Sequence, residues 1–254
     1  MRWFKLTVAY DGSAFHGWQT QIHEPTVQRR LEDALRRVTL QQVRVTASGR
    51  TDAGVHALGQ VVSCAVDTDL APETLLRALN ANLTPDIRVV RAAEVPAGFD
   101  AITHSISKTY RYWLNDGRIP DLFWRHHSWY IPQVLDDQAM HCAAQKLVGR
   151  HDFRAYQSAG SPRKTTVRTV TRLDVERVLV GDTELVRLEV TADGFLYNMV
   201  RNLVGTLARV GQGREAVDWP AEVLAGGDRR RAGPTAPPQG LFLVSVDYPA
   251  PWLG

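Results

Sequence analysis

The chain has 254 residues, enough for one large domain or two of roughly 100–150 residues each. With 44% hydrophobic and 22% charged residues it is globular rather than disordered or fibrous, no apolar run approaches the roughly 18 residues of a membrane span, and Met1–Lys5 starts no signal peptide, so a cytoplasmic protein with no membrane partner is expected. The 30 Lys and Arg against 27 Asp and Glu leave only +3, and Cys64 and Cys142, far apart and with no Cys or His at ligand spacing, exclude a disulfide framework or zinc site and read as buried small hydrophobes.

From Trp3 to Tyr10, Phe4, Leu6, Val8 and Tyr10 alternate with Lys5 and Thr7, the period of a half-buried strand, and Asp11-Gly12-Ser13 reads as a turn. After Pro25, Val27, Leu31, Ala34, Leu35 and Val38 recur at helical spacing while Arg29, Arg30, Arg36 and Arg37 fall outside the stripe, which predicts an amphipathic helix with a basic outer face. Val43–Ala47 and Gln60–Val66 are β-rich runs able to pair antiparallel across a loop from Ser48 to Gly59. Pro72 opens a second helix carrying Leu75, Leu76, Leu79 and Leu83, and Ile87–Val95 reads as a further strand. The order β-α-β-β-α-β is the ferredoxin-like, split βαβ arrangement, which leaves one sheet face free of helices; RNA-binding domains often use such a face.

The rest predicts a strand at His104–Leu114, a helix at Leu135–Val148, strands at Thr166–Val180 and Thr183–Thr191, a helix from near Asn198 and a last strand at Gly240–Tyr248. The second half thus repeats the first with insertions, giving an α+β chain of two ferredoxin-like halves, 1–103 and 104–254. Gly226–Gly240, with Arg229-Arg230-Arg231 followed by Pro234, Pro237 and Pro238, reads as a mobile basic surface loop.

The densest cluster of special residues is Ser48-Gly49-Arg50-Thr51-Asp52-Ala53-Gly54-Val55-His56-Ala57, which combines a carboxylate, a cation, a hydroxyl and two glycines in one loop. It is a ligand loop at the mouth of a sheet, or an ordinary connection in which Asp52 caps a turn. The sequence holds no Gly-rich phosphate loop, no G-x-S-x-G elbow, no H-E-x-x-H and no deaminase signature, so serine or metal hydrolysis and base deamination have no support.

Gly49-Arg50-Thr51-Asp52-Ala53-Gly54-Val55-His56-Ala57 resembles the signature of the TruA-type tRNA pseudouridine synthases. Lys108-Thr109-Tyr110-Arg111-Tyr112, Gly149-Arg150-His151-Asp152-Phe153, Asn198–Gly205, Gly240–Leu243 and Val246–Pro249 resemble that family's later motifs in the same order, so the likeness covers nearly the whole chain. The resemblance implies isomerisation of uridine to pseudouridine in the anticodon arm of tRNA, at positions 38, 39 and 40, by a homodimer without cofactor or metal. It also accords with two halves joined in one continuous antiparallel sheet, with Asp52 in a central cleft.

On that reading Asp52 is the nucleophile, since a carboxylate can attack and leave again. Arg201 resembles the arginine that pairs with it, and Tyr110 the tyrosine against the target base; Tyr112 is given to packing. Arg50 resembles the residue that fills the gap left by an everted uridine, and Leu241 the aliphatic residue beside the catalytic group. His56 is expected to be structural. Arg29, Arg30, Arg36, Arg37, Arg163 and Lys164, with Arg168 and Arg229–Arg231, are the candidate phosphate contacts. Two other readings compete: an RNA-binding module of the same fold without catalysis, and a small-molecule enzyme using Asp52 and Arg201.

Overall fold

The computed structural model describes residues 1–160 and 165–252. In chain order the elements are β1 (Arg2–Tyr10), α1 (Val27–Thr39), β2 (Thr46–Ala47), β3 (His56–Val66), α2 (Pro72–Asn82), β4 (Ile87–Val95), β5 (Ser107–Asn115), β6 (Trp129–Tyr130), α3 (Asp137–Gln145), β7 (Gly149–Asp152), β8 (Val167–Val180), β9 (Thr183–Ala192), α4 (Met199–Gly211), α5 (Trp219–Gly226) and β10 (Leu241–Asp247). The chain is α+β with mostly antiparallel strands, and none of its described helices is long and apolar enough to cross a membrane. It forms two compact units, one of Met1–Lys108 with Phe242–Gly254, the other of Thr109–Leu241.

In the first unit the strands run β4-β1-β3, with β1 antiparallel to both neighbours. The other edge of β3 is shared. Here β10 pairs parallel at His56 and Ala57, and β2 antiparallel at Val62 and Ser63. Phe4, Leu6 and Val8 are fully buried, as are Leu31 and Leu35 of α1 and Leu75 and Leu79 of α2. Each such side chain contributes about 1.5–3 kcal/mol of burial. Thus the β-α-β-β-α-β order predicted for this half is present.

Three details differ from the expectation. β3 begins at His56 rather than Gln60, so the loop predicted over Ser48–Gly59 ends at Val55. The strand predicted at Val43–Ala47 is confined to Thr46–Ala47, because α1 takes the backbone of Val45: its N–H donates to Glu32 (3.2 Å) and its carbonyl accepts from Gln28. Lys5, assigned to the polar face of β1, is buried; its ammonium donates to the Trp252 carbonyl (2.8 Å) and lies over the Tyr248 ring. The C-terminal tail covers that part of the sheet face, with Trp252 stacked on His104 (4.6 Å, 9°) and the Tyr248 hydroxyl donating to the Ala101 carbonyl. Burial, then the neighbouring Arg91, lowers the Lys5 pKa.

In the second unit the strands run β5-β9-β8-β7, with β6 beside the end of β5. Thr109 bonds Thr191 and Arg111 pairs with Glu189 between β5 and β9. Helix α3 packs on β8 and against α4, whose side chains are nearly all buried. α3 is shorter than the predicted Leu135–Val148: Asp136 caps it through Ala139 N, and the Leu135 N–H is taken by Asp116. Asp116, at the end of β5, also accepts two bonds from Arg177 of β8 (2.7 and 2.9 Å). Cys142 is exposed on α3, contrary to the expectation for both cysteines, whereas Cys64 is buried.

The segment predicted to be a mobile basic loop, Gly226–Gly240, is instead a strap fastened to α4. Arg229 donates to the Gly233 carbonyl, Asn202 Oδ1 and Thr235 Oγ1, and the Gly233 N–H donates to Thr206. A Cβ at Gly205 would lie 1.7 Å from the Pro234 carbonyl oxygen, so helix and strap meet backbone to backbone. Polar side chains on α4 that face inward supply the partners a proline-broken segment cannot supply for itself.

Gly205→Ala should therefore destabilise the protein by about 1–3 kcal/mol, read as a lower urea midpoint; an unchanged midpoint would mean that the strap yields freely. For Asp116, burial raises the carboxyl pKa, but the Arg177 and Leu135 bonds outweigh it and hold the pKa below its ordinary value. A depressed carboxyl pKa stabilises above the unfolded value and loses that contribution as pH falls through the folded one. Asp116→Asn should thus cost about 1.5–3 kcal/mol near pH 7, and the difference from the parent should shrink in acid, as followed by denaturation across a pH series.

Candidate active site

The loop from Ser48 to Val55 has no regular structure, so its backbone groups need partners elsewhere. On its first flank Gln60 of β3, fully buried, accepts from Ser48 Oγ (2.7 Å) and donates to the Gly49 carbonyl (2.8 Å). The Ser48 N–H donates to the Val61 carbonyl, and the Lys108 ammonium reaches the Ser48 carbonyl. On the second flank the Trp18 N–H donates to the Thr51 carbonyl (3.0 Å) and the Gly54 N–H to the Phe15 carbonyl (3.4 Å). Tyr10 hydroxyl and Thr51 Oγ1 are 2.7 Å apart. Burial pushes the Tyr10 phenol up to about 12, so it stays neutral at working pH and serves Thr51 as a fixed hydrogen-bond partner.

Two glycines make this closeness possible. A Cβ at Gly12 would lie 2.1 Å from the Val55 carbonyl oxygen, and one at Gly17 would lie 2.7 Å from that of Thr51; Gly17 also adopts φ +88°, which side chains disfavour. The segment from Tyr10 to Trp18 is therefore the bed on which the loop rests. At its crown the Val55 N–H donates to the Asp52 carbonyl (3.1 Å), closing a turn. Thr51 points inward and is buried, Asp52 is half-buried, and Arg50 is exposed.

His56 follows the turn. Its ring is buried, stacks on Phe242 (4.5 Å, 18°), and accepts the Gly12 N–H at Nδ1 (3.0 Å). Asp11 Oδ1 lies 3.2 Å from the same nitrogen.

The second unit carries Tyr110, Arg201 and Leu241. Tyr110, on β5, is buried except for a narrow exposed margin, and Phe195 meets its ring edge-on (5.0 Å, 86°). Tyr112 is wholly buried, its hydroxyl donating to the Pro237 carbonyl and its ring resting against Gly240, which agrees with the packing role assigned to it. Arg201 stands in the first turn of α4, where its Nε donates to the Ala236 carbonyl (2.7 Å) and its Nη1 to Asn198 Oδ1 (3.1 Å). Its own carbonyl accepts the Ala236 N–H, so the strap grips this residue through both backbone and side chain. Leu241 is buried at the start of β10.

Of the candidate phosphate contacts, Arg29, Arg30, Arg36 and Arg37 are all exposed along α1, with Asp33 3.7 Å from Arg36. Arg163 and Lys164 lie outside the described residues. Arg168 donates to two neighbouring carbonyls, Arg229 is held within the strap, and Arg230 pairs with Asp228. Sequence reasoning missed Tyr10, Gln60, Phe195 and Asn198 as supports. Gln60 left a trace, a large amide opening a mostly apolar strand; Asn198 stood in a quoted motif at a predicted helix start, but its left-handed backbone (φ 57°) is invisible before folding.

A family model described as tRNA pseudouridine synthase matches residues 6–102 and 143–249, ranges that include Asp52, Arg50, Arg201 and Leu241 and leave Tyr110 in the interval between them. A tRNA pseudouridine synthase A of Methylobacterium radiotolerans is 44% identical over 246 residues, covering 96% of this chain and 97% of its own. That of Methylacidiphilum infernorum is 44% identical over 247 residues (97% and 95%), and that of Acetivibrio thermocellus 40% over 248 (98% and 100%). Matches of this extent run through both units, and the chain belongs to the tRNA pseudouridine synthase family.

Proposed function

We propose that the protein isomerises uridine to pseudouridine at positions 38, 39 and 40 of the tRNA anticodon stem-loop, with Asp52 as nucleophile. The observation that carries this reading is the pinned turn: a carboxylate at the crown of a loop whose backbone is bonded on both flanks, in a chain of this family. A nucleophile held in this way loses little freedom on reaching its target, and such positioning is a large part of catalysis.

The chemistry needs no redox partner. Asp52 attacks C6 of the ring or C1′ of the sugar; in either course the N1–C1′ bond breaks, the ring turns, and a C5–C1′ bond forms. The C5 hydrogen departs as a proton and N1 takes one up, so product and substrate are isomers. Attack requires an ionised carboxylate, and Arg201 is the proposed source of that ionisation; a neighbouring arginine lowers an Asp pKa by about 1–3. Tyr110 would stack on the base, worth roughly 1–3 kcal/mol, and its phenol can carry the C5 proton. The uridine must leave its stack at a cost of a few kcal/mol, and Arg50, exposed and planar, is suited to fill the gap. Leu241 is assigned to the apolar wall beside the catalytic group.

A homodimer in the cytoplasm completes the proposal, with one subunit gripping the body of the tRNA while the other carries out the chemistry. The arginines on the outer face of α1 are assigned to phosphates.

The test is release of tritium from C5-labelled uridine in unmodified tRNA, with chelator present and no cofactor added. Catalytic release is expected; tight binding without release would replace this reading with a non-catalytic tRNA-binding module. Asp52→Asn should abolish release while tRNA affinity stays within about tenfold, or 1.4 kcal/mol, and parallel loss of both would make Asp52 a structural residue. Arg29→Glu combined with Arg30→Glu should weaken binding and flatten its salt dependence, by about 0.7–0.9 in log–log slope for each phosphate no longer neutralised. An unaltered slope would remove α1 from the interface.

A further inference from the structure

Asn198 sits immediately before α4, at the position where a side chain normally accepts a hydrogen bond from the helix's free N–H groups. It does not cap the helix. Its backbone is left-handed (φ 57°, ψ 11°), a conformation that asparagine tolerates better than most residues, and its side-chain oxygen points instead to Arg201 Nη1 at 3.1 Å. Here, then, a residue type suited to capping is used at a strained backbone position to hold a guanidinium.

The strained backbone aids this placement. Asn198 is three residues before Arg201, and its carbonyl still accepts the Asn202 N–H (2.9 Å), so the helix ladder begins normally while the side chain is released to reach across the first turn. The Ala236 carbonyl takes Arg201 Nε from the other side, at 2.7 Å. An acceptor on Nε and a second on Nη1 define the plane of the guanidinium as well as its position, because its donors form a rigid fork. Both acceptors are neutral. They orient the arginine without supplying a carboxylate to compete for its charge, which a capping aspartate at 198 would do.

We infer that Asn198 is a positioning residue that fixes the Arg201 guanidinium in its working orientation, which rests on the reading of Arg201 given above. A group acting in this way should influence turnover through Arg201 and nowhere else. Asn198→Gly retains the left-handed backbone and removes only the side-chain acceptor. It should lower kcat for pseudouridine formation about tenfold at saturating tRNA, the size expected for one bond to a charged group, with KM and melting temperature essentially unchanged. Asn198→Asp restores the acceptor oxygen that orients the guanidinium but adds a carboxylate that competes for its charge, and should therefore recover part, and only part, of that loss. In an Arg201→Ala background, Asn198→Gly should cause no further fall.

Each result has a separate meaning. If Arg201→Ala alone leaves kcat at the parent value, the reading of Arg201 fails and this inference with it. If Arg201→Ala lowers kcat but Asn198→Gly does not, or if the two losses multiply in the double variant, the inference alone is overturned. A matching drop in melting temperature for Asn198→Gly that Asn198→Asp fails to reverse would show a merely structural residue, and would overturn it too.

Discussion

The arrangement around Asp52 depends on one constraint: an irregular loop must satisfy its backbone on neighbouring elements, and it can do so only where those elements come close enough. Gly12 and Gly17 allow that approach, with the Val55 and Thr51 carbonyl oxygens occupying the space where a Cβ would stand. Gln60 and Tyr10 then act from beneath the loop, each buried with its polar atoms engaged. Leaving either of the loop's buried polar groups without its partner would cost about 1–3 kcal/mol, roughly twice the net gain from a typical hydrogen bond. The turn bearing the carboxylate is thus held most firmly where it has no secondary structure of its own.

The second unit meets the same demand with different residues. Its strap carries prolines at 234, 237 and 238 and forms only single 3-10 turns, at Arg229–Arg231 and Pro238–Gly240. Asn202, wholly buried on α4, donates to the Tyr156 carbonyl and accepts from Arg229 and Thr235, so a single amide joins helix, strap and the short turn after β7. Gly205 and Gly233 supply the close approach, as Gly12 and Gly17 do in the first unit. In both places glycine fixes the distance and a buried amide fixes the register.

This pattern explains which parts of the structure could be read in advance. Elements that bury one face carry their own periodic signal: β4 occupies Ile87–Val95 as predicted, and β8 and β9 agree with prediction to within a residue. The Asp52 loop was legible through its resemblance to a family signature, and its residue types alone left an ordinary connection equally open. Elements that depend on distant partners carried no such signal. Val43–Val45 has the composition of a strand, but the Val45 backbone is bonded to α1, and the short β6 and β7 are defined by their neighbours rather than by their own residues. The strap departs from its expected mobility for the same reason, since its order comes from α4, where Asn202 lies 27 positions from Arg229 along the chain.

The two arginines proposed to serve the reaction make a final physical point. An arginine that keeps a carboxylate ionised must hold a constant distance and orientation, because its effect on the pKa falls with separation and with every alternative position it samples. Within its own unit Arg201 is held by two neutral acceptors and a main-chain link to the strap, a mount suited to the proposed role. An arginine that enters the space left by an everted base has the opposite requirement: it must be available before the base has moved and extended enough to follow it. Arg50 is exposed on the loop crown, beside a Thr51 that is locked from below. The same side-chain chemistry is therefore placed once on a fixed mount and once at a solvent-facing tip, a difference in freedom that suits the two proposed roles.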